Sequence, residues 1–159
     1  MLTTVLFTDI VDSTRLAANL GDERWHDLLE EHHGVVRREL EIFRGEEVKT
    51  TGDEFHATFD GPARGVQCAL SIREATRQLG LTLRMGMHTG ECEIRGNSLE
   101  GLTIHIAARV SGMAAEDEIL VSRTVRDLVA GSGIELEDFG TQSLKGIPDE
   151  HQLFRVVAS

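Results

Sequence analysis

Two aspartates that are far apart in the sequence, Asp9 and Asp53, have settings that suit the binding of a divalent metal ion. Asp9 follows the apolar, strand-like run Thr3–Phe7, and Asp53 lies in a tight segment between two further strand-like runs. Two carboxylates that converge beside neighbouring strands can bind magnesium together with substrate phosphates, because this ion prefers hard oxygen ligands. Aspartate is also common in turns, so ordinary turn chemistry is the alternative explanation of the spacing alone.

A second polar pair, His105 and Arg109, is predicted to share one face of a helix. The two residues are four apart within a helix expected over Leu102–Met113, so their side chains lie one turn apart. We expect the apolar stripe of this helix to face the core, and it consists of Leu102, Ile106, Val110 and Met113. The polar pair is then free to face a site, and a surface position is the alternative for this arginine.

The elements that must position these residues alternate between strands and helices. After the first strand we expect a helix capped by Asp12 or Ser13, a second helix from Asp22 to about Gly45 and a hairpin, 46–50 with 55–59. The rest of the chain predicts helix 62–79, strands 81–88 and 90–94, helix 102–113, strand 118–121, helix 122–130, and strands 134–140 and 151–157. This order predicts an α+β fold, a ferredoxin-like (split βαβ) antiparallel sheet with helices, in one domain over residues 1–159.

The composition predicts a soluble, cytoplasmic domain with no nucleic-acid or membrane partner. The formal net charge of −11 repels polyanions and anionic membranes, so a polyanionic substrate needs local cations or a metal ion. No apolar run approaches the roughly 20 residues that span a bilayer. Cys68 and Cys92 have neither the spacing of a zinc site nor the density of a disulfide scaffold, which favours a reducing compartment.

Three segments resemble the successive motifs of class III adenylyl and guanylyl cyclase catalytic domains: Phe7–Thr14, Lys49–Phe55 and His105–Val110. They occur in the right order and at the right spacing, and the resemblance covers nearly the whole chain. It implies the class III nucleotidyl cyclase fold and the conversion of ATP to 3′,5′-cyclic AMP and pyrophosphate. It also implies two magnesium or manganese ions at each site.

The resemblance assigns Asp9 and Asp53 as the metal-binding aspartates, with the backbone carbonyl of Ile10 as a further ligand. Lys49 matches the lysine that selects adenine, where a guanine-selecting member carries glutamate. The second base-selecting position aligns with Ser98 and is usually aspartate in adenylyl cyclases. A serine hydroxyl discriminates less sharply than a carboxylate because it both donates and accepts hydrogen bonds.

The resemblance also implies roles for three residues later in the chain. Arg109 matches the arginine that stabilises charge on the reacting phosphate. His105 stands where most members have the asparagine that orients the ribose, a departure that bears on the rate more than on the reaction type. Lys145 aligns with a lysine for the terminal phosphates, although a loop lysine is otherwise a solvated side chain.

The same resemblance implies a homodimer with two shared sites, because one chain carries both sets of residues. In the family, the metal-binding aspartates of one subunit face the base-selecting and transition-state residues of the other. The alternatives are a guanylyl or mixed-specificity cyclase, a degenerate homologue that binds nucleotide without turnover, and a diguanylate cyclase. The last alternative comes from Thr51–Phe55, which is similar to a G-G-D-E-F turn without its first glycine.

Overall fold

One seven-stranded sheet organises the chain, which a computed structural model describes for residues 1–96 and 98–158. The strands are β1 (Leu2–Ile10), β2 (Glu46–Thr51), β3 (Glu54–Phe59), β4 (Leu83–Glu91), β5 (Glu93–Arg95), β6 (Ser98–Glu100), β7 (Ile119–Ser122), β8 (Glu135–Ser143) and β9 (Glu150–Ala158). The sheet order is β2-β3-β1-β4-β7-β9-β8, and β5 pairs with β6 in a separate hairpin. Neighbouring strands are antiparallel except β4 and β7, which are parallel. The predicted α+β class with a mostly antiparallel sheet is confirmed.

Helices cover the two faces of this sheet unequally. They are α1 (Ser13–Leu20), α2 (Asp22–Ile42), α3 (Pro62–Arg77), α4 (Leu102–Met113) and α5 (Arg123–Leu128). α2, α3 and α5 pack on one face, where their apolar residues form the main core with the strands. α4 packs on the opposite face against two smaller clusters, and we call this side the α4 face. Within the described ranges, no helix is both long enough and apolar enough to cross a bilayer.

Alternate residues of β1 point to these two faces, as the pleat of a strand requires. Leu6 and Ile10 belong to the main core, whereas Val5 and Phe7 pack beneath α4. Asp9 continues the series of Val5 and Phe7, so its side chain lies on the α4 face. β1 is buried on both sides, and it therefore places the carboxylate of Asp9 on the face where a site can form.

α4 lies so close to β4 that glycine is required at position 86. A Cβ on Gly86 would lie 2.2 Å from the backbone nitrogen of Ser111 in α4. We expect Gly86→Ala to lower the free energy of unfolding by about 1–3 kcal/mol, because the helix must move away from the sheet. Urea denaturation followed by circular dichroism measures this loss. The control is Gly112→Ala, since no atom lies within 4 Å of a Cβ there and alanine is the better helix former. Equal losses at the two positions would contradict the packing explanation.

The prediction of two strands over 81–88 and 90–94 is wrong. β4 continues without interruption from Leu83 to Glu91, and residues 93–95 instead pair with 98–100 as the β5–β6 hairpin. Gly90 makes no turn; a Cβ there would lie 2.5 Å from Oγ1 of Thr103, so this glycine permits close packing of α4. The hairpin carries Ser98, whereas Asn97 in the same loop lies outside the described residues.

Three details near the predicted site residues also differ from expectation. Leu102 is 53% exposed instead of lying in the core stripe, because the buried stripe of α4 begins one position later, at Thr103. Asp12 precedes α1 but makes no side-chain cap bond, and its backbone is left-handed with a φ of 56°. Asp9 lies within β1, as its penultimate residue, and not after the strand.

Candidate active site

A two-residue turn joins β2 to β3 and carries Asp53. Thr51 pairs with Glu54, and Gly52 has a φ of 58°, the conformation needed at the first position of a type II′ hairpin turn. The Oδ2 atom of Asp53 accepts a hydrogen bond from the backbone N–H of Ile10 at 2.9 Å. This bond joins the turn to the end of β1, so the two predicted metal-binding aspartates lie beside adjacent strands.

Within a single chain, the negative charge of the Asp9 carboxylate is only partly neutralised. Arg84 lies opposite it in β4, and the Nη1 atom of Arg84 is 3.8 Å from Asp9 Oδ2, too far for a hydrogen bond. The other carboxylate oxygen, Oδ1, is buried and has no hydrogen-bond partner in the described part of the chain. Burial raises the pKa of Asp9 above its usual value; Arg84 opposes this rise, whereas Asp53 and Glu54 add to it.

These residues line an open cavity of 640 Å³ at the end of β1, which we call the aspartate cavity. Four of its lining residues are acidic and two are arginines, in the set Asp9, Ile10, Asp12, Ser13, Thr14, Arg15, Ala18, Asp53, Glu54 and Arg84. The left-handed backbone of Asp12 turns the chain from β1 into α1, so the first turns of that helix form one wall. The excess of carboxylates favours a cation in the cavity.

The aspartate cavity fits a divalent metal ion that prefers oxygen ligands. A cation between Asp9 and Asp53 would give the buried Oδ1 atom a partner; it would also oppose the effects of burial and of the neighbouring carboxylates, which together raise the pKa of Asp9. Ile10 lines the cavity although its side chain packs in the core, so its backbone is the part that can supply a ligand. No three His, Cys, Asp or Glu side chains form a cage in the described ranges. Phosphates or water would therefore complete the shell of magnesium or manganese.

Asp9→Asn is expected to stabilise the metal-free protein. Because the pKa of Asp9 is raised on folding, the folded state favours the protonated form, and ionisation lowers stability. This destabilisation is absent when the pH is below the pKa of Asp9 in the unfolded chain. It is complete when the pH exceeds the pKa of Asp9 in the folded protein. We therefore expect a higher melting temperature for the variant at pH 7 in a chelator, with a gain that shrinks towards about pH 3. Thermal melts of both proteins across this pH range measure the difference in melting temperature. A difference that grows as the pH falls would refute the prediction.

Lys49 lies on the α4 face of the same hairpin. In the register of β2 and β3 it is directly opposite His56, which stacks on Phe7 with ring centroids 3.9 Å apart. Since Phe7 and Asp9 point to the same face, Lys49 shares that face with the first aspartate. Ser98 is exposed on β6, and β6 contacts β2. The two predicted base-selecting residues therefore lie on strands that approach each other.

His105 and Arg109 are exposed on α4, whose buried residues face the sheet. Lys145 is exposed in the turn between β8 and β9, and the preceding residue, Leu144, packs with Ile106 of α4. The lysine is thereby held near the helix that carries the polar pair. In the described part of one chain, this α4 group (His105, Arg109 and Lys145) does not line the aspartate cavity.

Arg84 is a cavity residue that the sequence interpretation misses. It lies opposite Asp9 and lines the aspartate cavity, which places a guanidinium where phosphate oxygens can reach it. A signal for it is present in the sequence, because Arg84 stands between Leu83 and Met85, which are both buried. A lone arginine in an apolar strand must point to the opposite face and find a polar partner there.

Comparison with known proteins identifies the family of the chain. The sequence profile of the adenylate and guanylate cyclase catalytic domain matches residues 2–157. The chain belongs to this family. The cyclase domain superposes on the adenylyl cyclase CyaB from P. aeruginosa with a TM-score of 0.92 and 24% identity, over 99% of this chain and 94% of that one. It also superposes on the guanylate cyclase domain of RhGC from Catenaria anguillulae in complex with GTP, with a TM-score of 0.89 and 20% identity, over 99% and 96%. These likenesses confirm the class III cyclase fold.

Relatives with greater sequence identity include a protein without an assigned role and an enzyme. The cyclase domain is 30% identical over 149 residues to an uncharacterized protein of Mycobacterium tuberculosis, covering 91% of this chain and 52% of that protein. It is 31% identical over 149 residues to an adenylate cyclase of Lachancea kluyveri, covering 74% of this chain and 8% of that protein. The chain therefore spans about half the length of the mycobacterial relative and a small part of the other.

Proposed function

We propose that this cyclase domain converts ATP to 3′,5′-cyclic AMP and pyrophosphate at two sites shared by a homodimer. The observation that carries the proposal is the aspartate cavity, in which Ile10 fixes Asp53 while a buried oxygen of Asp9 has no partner among residues 1–96 and 98–158. In a chain that matches the cyclase family over residues 2–157, such a pair of carboxylates suits a nucleoside triphosphate and its metal ions.

The residues of the aspartate cavity act on the triphosphate. Two bound magnesium or manganese ions would lower the pKa of the ribose 3′-hydroxyl and neutralise charge on the phosphates. Asp53 is already held by the N–H of Ile10, so its carboxylate needs no rearrangement to act as a ligand. Arg84, 3.8 Å from Asp9, supplies a fixed positive charge for the departing pyrophosphate.

The other predicted site residues act on the base, the ribose and the reacting phosphate. Lys49 donates a hydrogen bond to the adenine ring, and Ser98 accepts one from the exocyclic amine. Arg109 donates to the reacting phosphate as negative charge develops there, and His105 donates to the ribose. Lys145 pairs with the terminal phosphates. The exposed positions of these side chains and the resemblance to the family support the assignments.

A dimer is proposed because one chain keeps these groups apart. The aspartate cavity lies at the end of β1, and the described part of the chain places none of the α4 group in its lining. A twofold pair can bring the α4 group of one copy to the aspartate cavity of the other, and the symmetry then repeats the site.

Lys49→Glu is expected to shift the base preference from ATP towards GTP. A lysine donates to adenine, whereas a glutamate accepts from the N–H groups of guanine and leaves no donor for adenine. We expect kcat/KM for ATP to fall by about tenfold or more relative to that for GTP. Chromatography of products formed from equal concentrations of the two nucleotides measures this ratio. Lys49→Arg is the control because it keeps a donor, and an unchanged ratio in Lys49→Glu would remove Lys49 from the base site.

Product identity tests the proposed function directly. The purified protein is incubated with manganese and either ATP or GTP, and the products are separated by chromatography. Cyclic AMP with release of pyrophosphate supports the proposal, whereas preferential formation of cyclic GMP makes the domain a guanylyl cyclase. A cyclic dinucleotide indicates a diguanylate cyclase, and binding of ATP without pyrophosphate release indicates the degenerate homologue.

A further inference from the structure

A histidine of α2 holds the hairpin turn that carries Asp53. In a two-residue turn, the carbonyl of the first turn residue takes no part in the strand ladder and can accept from a side chain or from water. Nε2 of His33 lies 2.7 Å from the carbonyl oxygen of Gly52, and the ring nitrogen must donate because a carbonyl can only accept. The Phe55 ring packs edge-on against this imidazole, with centroids 5.4 Å apart at 81°, and restricts its orientation.

The bond to Gly52 bears directly on the direction of Asp53. The carbonyl of Gly52 and the N–H of Asp53 belong to one planar peptide group. A donor that fixes the carbonyl therefore also fixes the plane from which the next residue leaves the turn. The carboxylate of Asp53 is held independently by the N–H of Ile10 at 2.9 Å. Asp53 is thus held at both ends, by α2 through its backbone and by β1 through its side chain.

We propose that His33 is a positioning residue for metal binding, acting through the Gly52–Asp53 peptide to keep the Asp53 carboxylate in the aspartate cavity. The role rests on the proposed function, in which this carboxylate binds a divalent ion. The link between imidazole and carboxylate consists of a hydrogen bond, the planar Gly52–Asp53 peptide and the Asp53 side chain, whose carboxylate accepts from Ile10. Loss of the donor frees the peptide to rotate and leaves the hydrogen bond from Ile10 to hold the aspartate, so part of its order must be regained each time a metal ion binds.

α2 also contacts the hairpin at a second point, which provides a matched reference. The Nε and Nη2 atoms of Arg37 donate to the Glu47 carboxylate at 2.8 and 3.0 Å. This contact lies on β2, away from the turn, and it does not touch the Gly52–Asp53 peptide. If α2 serves only to dock the hairpin, loss of either contact should weaken manganese binding equally. If His33 positions the aspartate, the two losses should differ.

Three variants separate these roles. His33→Leu removes the donor and keeps an apolar side chain against Phe55; His33→Gln keeps an N–H donor at similar reach; Arg37→Gln breaks the second contact. Amide signals of Gly52 and Asp53 are first recorded by ¹⁵N–¹H NMR in the metal-free protein. We expect them to broaden or split in His33→Leu and to stay close to wild type in the other two variants.

Manganese alone, without nucleotide, is then titrated while its paramagnetic broadening of amides around the aspartate cavity is followed. We expect the half-saturating concentration to rise by about tenfold in His33→Leu and to return towards wild type in His33→Gln. In turnover assays the manganese requirement should rise by a similar factor, with KM for ATP within about twofold of wild type.

Two outcomes would overturn the role of His33: an unchanged manganese titration in His33→Leu, or an equal loss in Arg37→Gln. Failure of the proposed function is distinguishable from either. A wild-type protein that binds manganese but forms no cyclic nucleotide refutes the proposed activity, while the titration without nucleotide still decides whether His33 positions Asp53.

Discussion

Asp53→Asn is expected to reduce the formation of cyclic nucleotide by more than about a hundredfold while leaving the fold intact. The oxygen of an asparagine side chain can still accept the hydrogen bond that Ile10 donates at 2.9 Å, so the turn keeps its attachment to β1. The negative charge required to bind a divalent ion is lost. Initial rates at saturating ATP and manganese measure the effect, and circular dichroism with a thermal melt verifies the fold.

Glu54→Gln is the matched control for this experiment. Glu54 adjoins Asp53 and lines the same cavity, so the substitution removes one negative charge from the same place. We expect a loss of less than about tenfold, because this carboxylate contributes to the field around the ions without a place in the proposed ligand set. An Asp53→Asn protein that keeps a tenth of the parental rate would rule out a metal-binding role for Asp53.

A mixture of two inactive variants, Asp53→Asn and Arg109→Ala, is expected to regain about one quarter of wild-type activity. When the copies exchange freely in an equal mixture, about half of the dimers contain one copy of each variant. In such a dimer one site carries both substitutions, and the other combines an intact aspartate pair with an intact Arg109. Activity after mixing, measured per total protein, reports these restored sites.

The control mixture pairs Asp53→Asn with Asp9→Asn. Both substitutions fall in the aspartate cavity, so every site in every dimer lacks one metal-binding carboxylate, and no recovery is expected. Recovery in this control, or none in the Asp53→Asn and Arg109→Ala mixture, would contradict sites shared between two copies. The individual variants supply the baseline for both mixtures.

The sequence predicts the helix and strand types well where the periodicity is long and the turn chemistry is explicit. The apolar run Thr3–Phe7 identifies β1, and the turn at Gly52 identifies the β2–β3 hairpin; the structure confirms both. The prediction fails at β4, where a break in the strand is predicted just before Gly90. The actual role of Gly90 is to leave space for Thr103 of α4, and a contact between distant residues has no local signal.

The sequence likewise predicts only part of the candidate site. The motif resemblance identifies Asp9 and Asp53, and the structure places them at the ends of adjacent strands. Arg84 and His33 belong to no quoted motif, and they reach the site through strand register and a helix contact, respectively. Only the three-dimensional arrangement shows that Arg84 lies opposite Asp9 and that His33 contacts Gly52. The roles of Lys49, Ser98, His105, Arg109 and Lys145 stay predictions, because they depend on a second copy and a bound nucleotide.

The contact at Gly86 has a consequence for the proposed dimer. Because a Cβ there would lie 2.2 Å from the α4 backbone, the helix contacts β4 directly at this point, and Val5 and Phe7 of β1 pack beneath it nearby. We expect this close packing to keep Arg109 at a nearly constant distance from the aspartate cavity within each copy. In the proposed twofold dimer, a twist of one copy against the other widens or narrows both clefts by the same amount. A signal delivered as such a rotation would switch the two sites together, without touching either nucleotide.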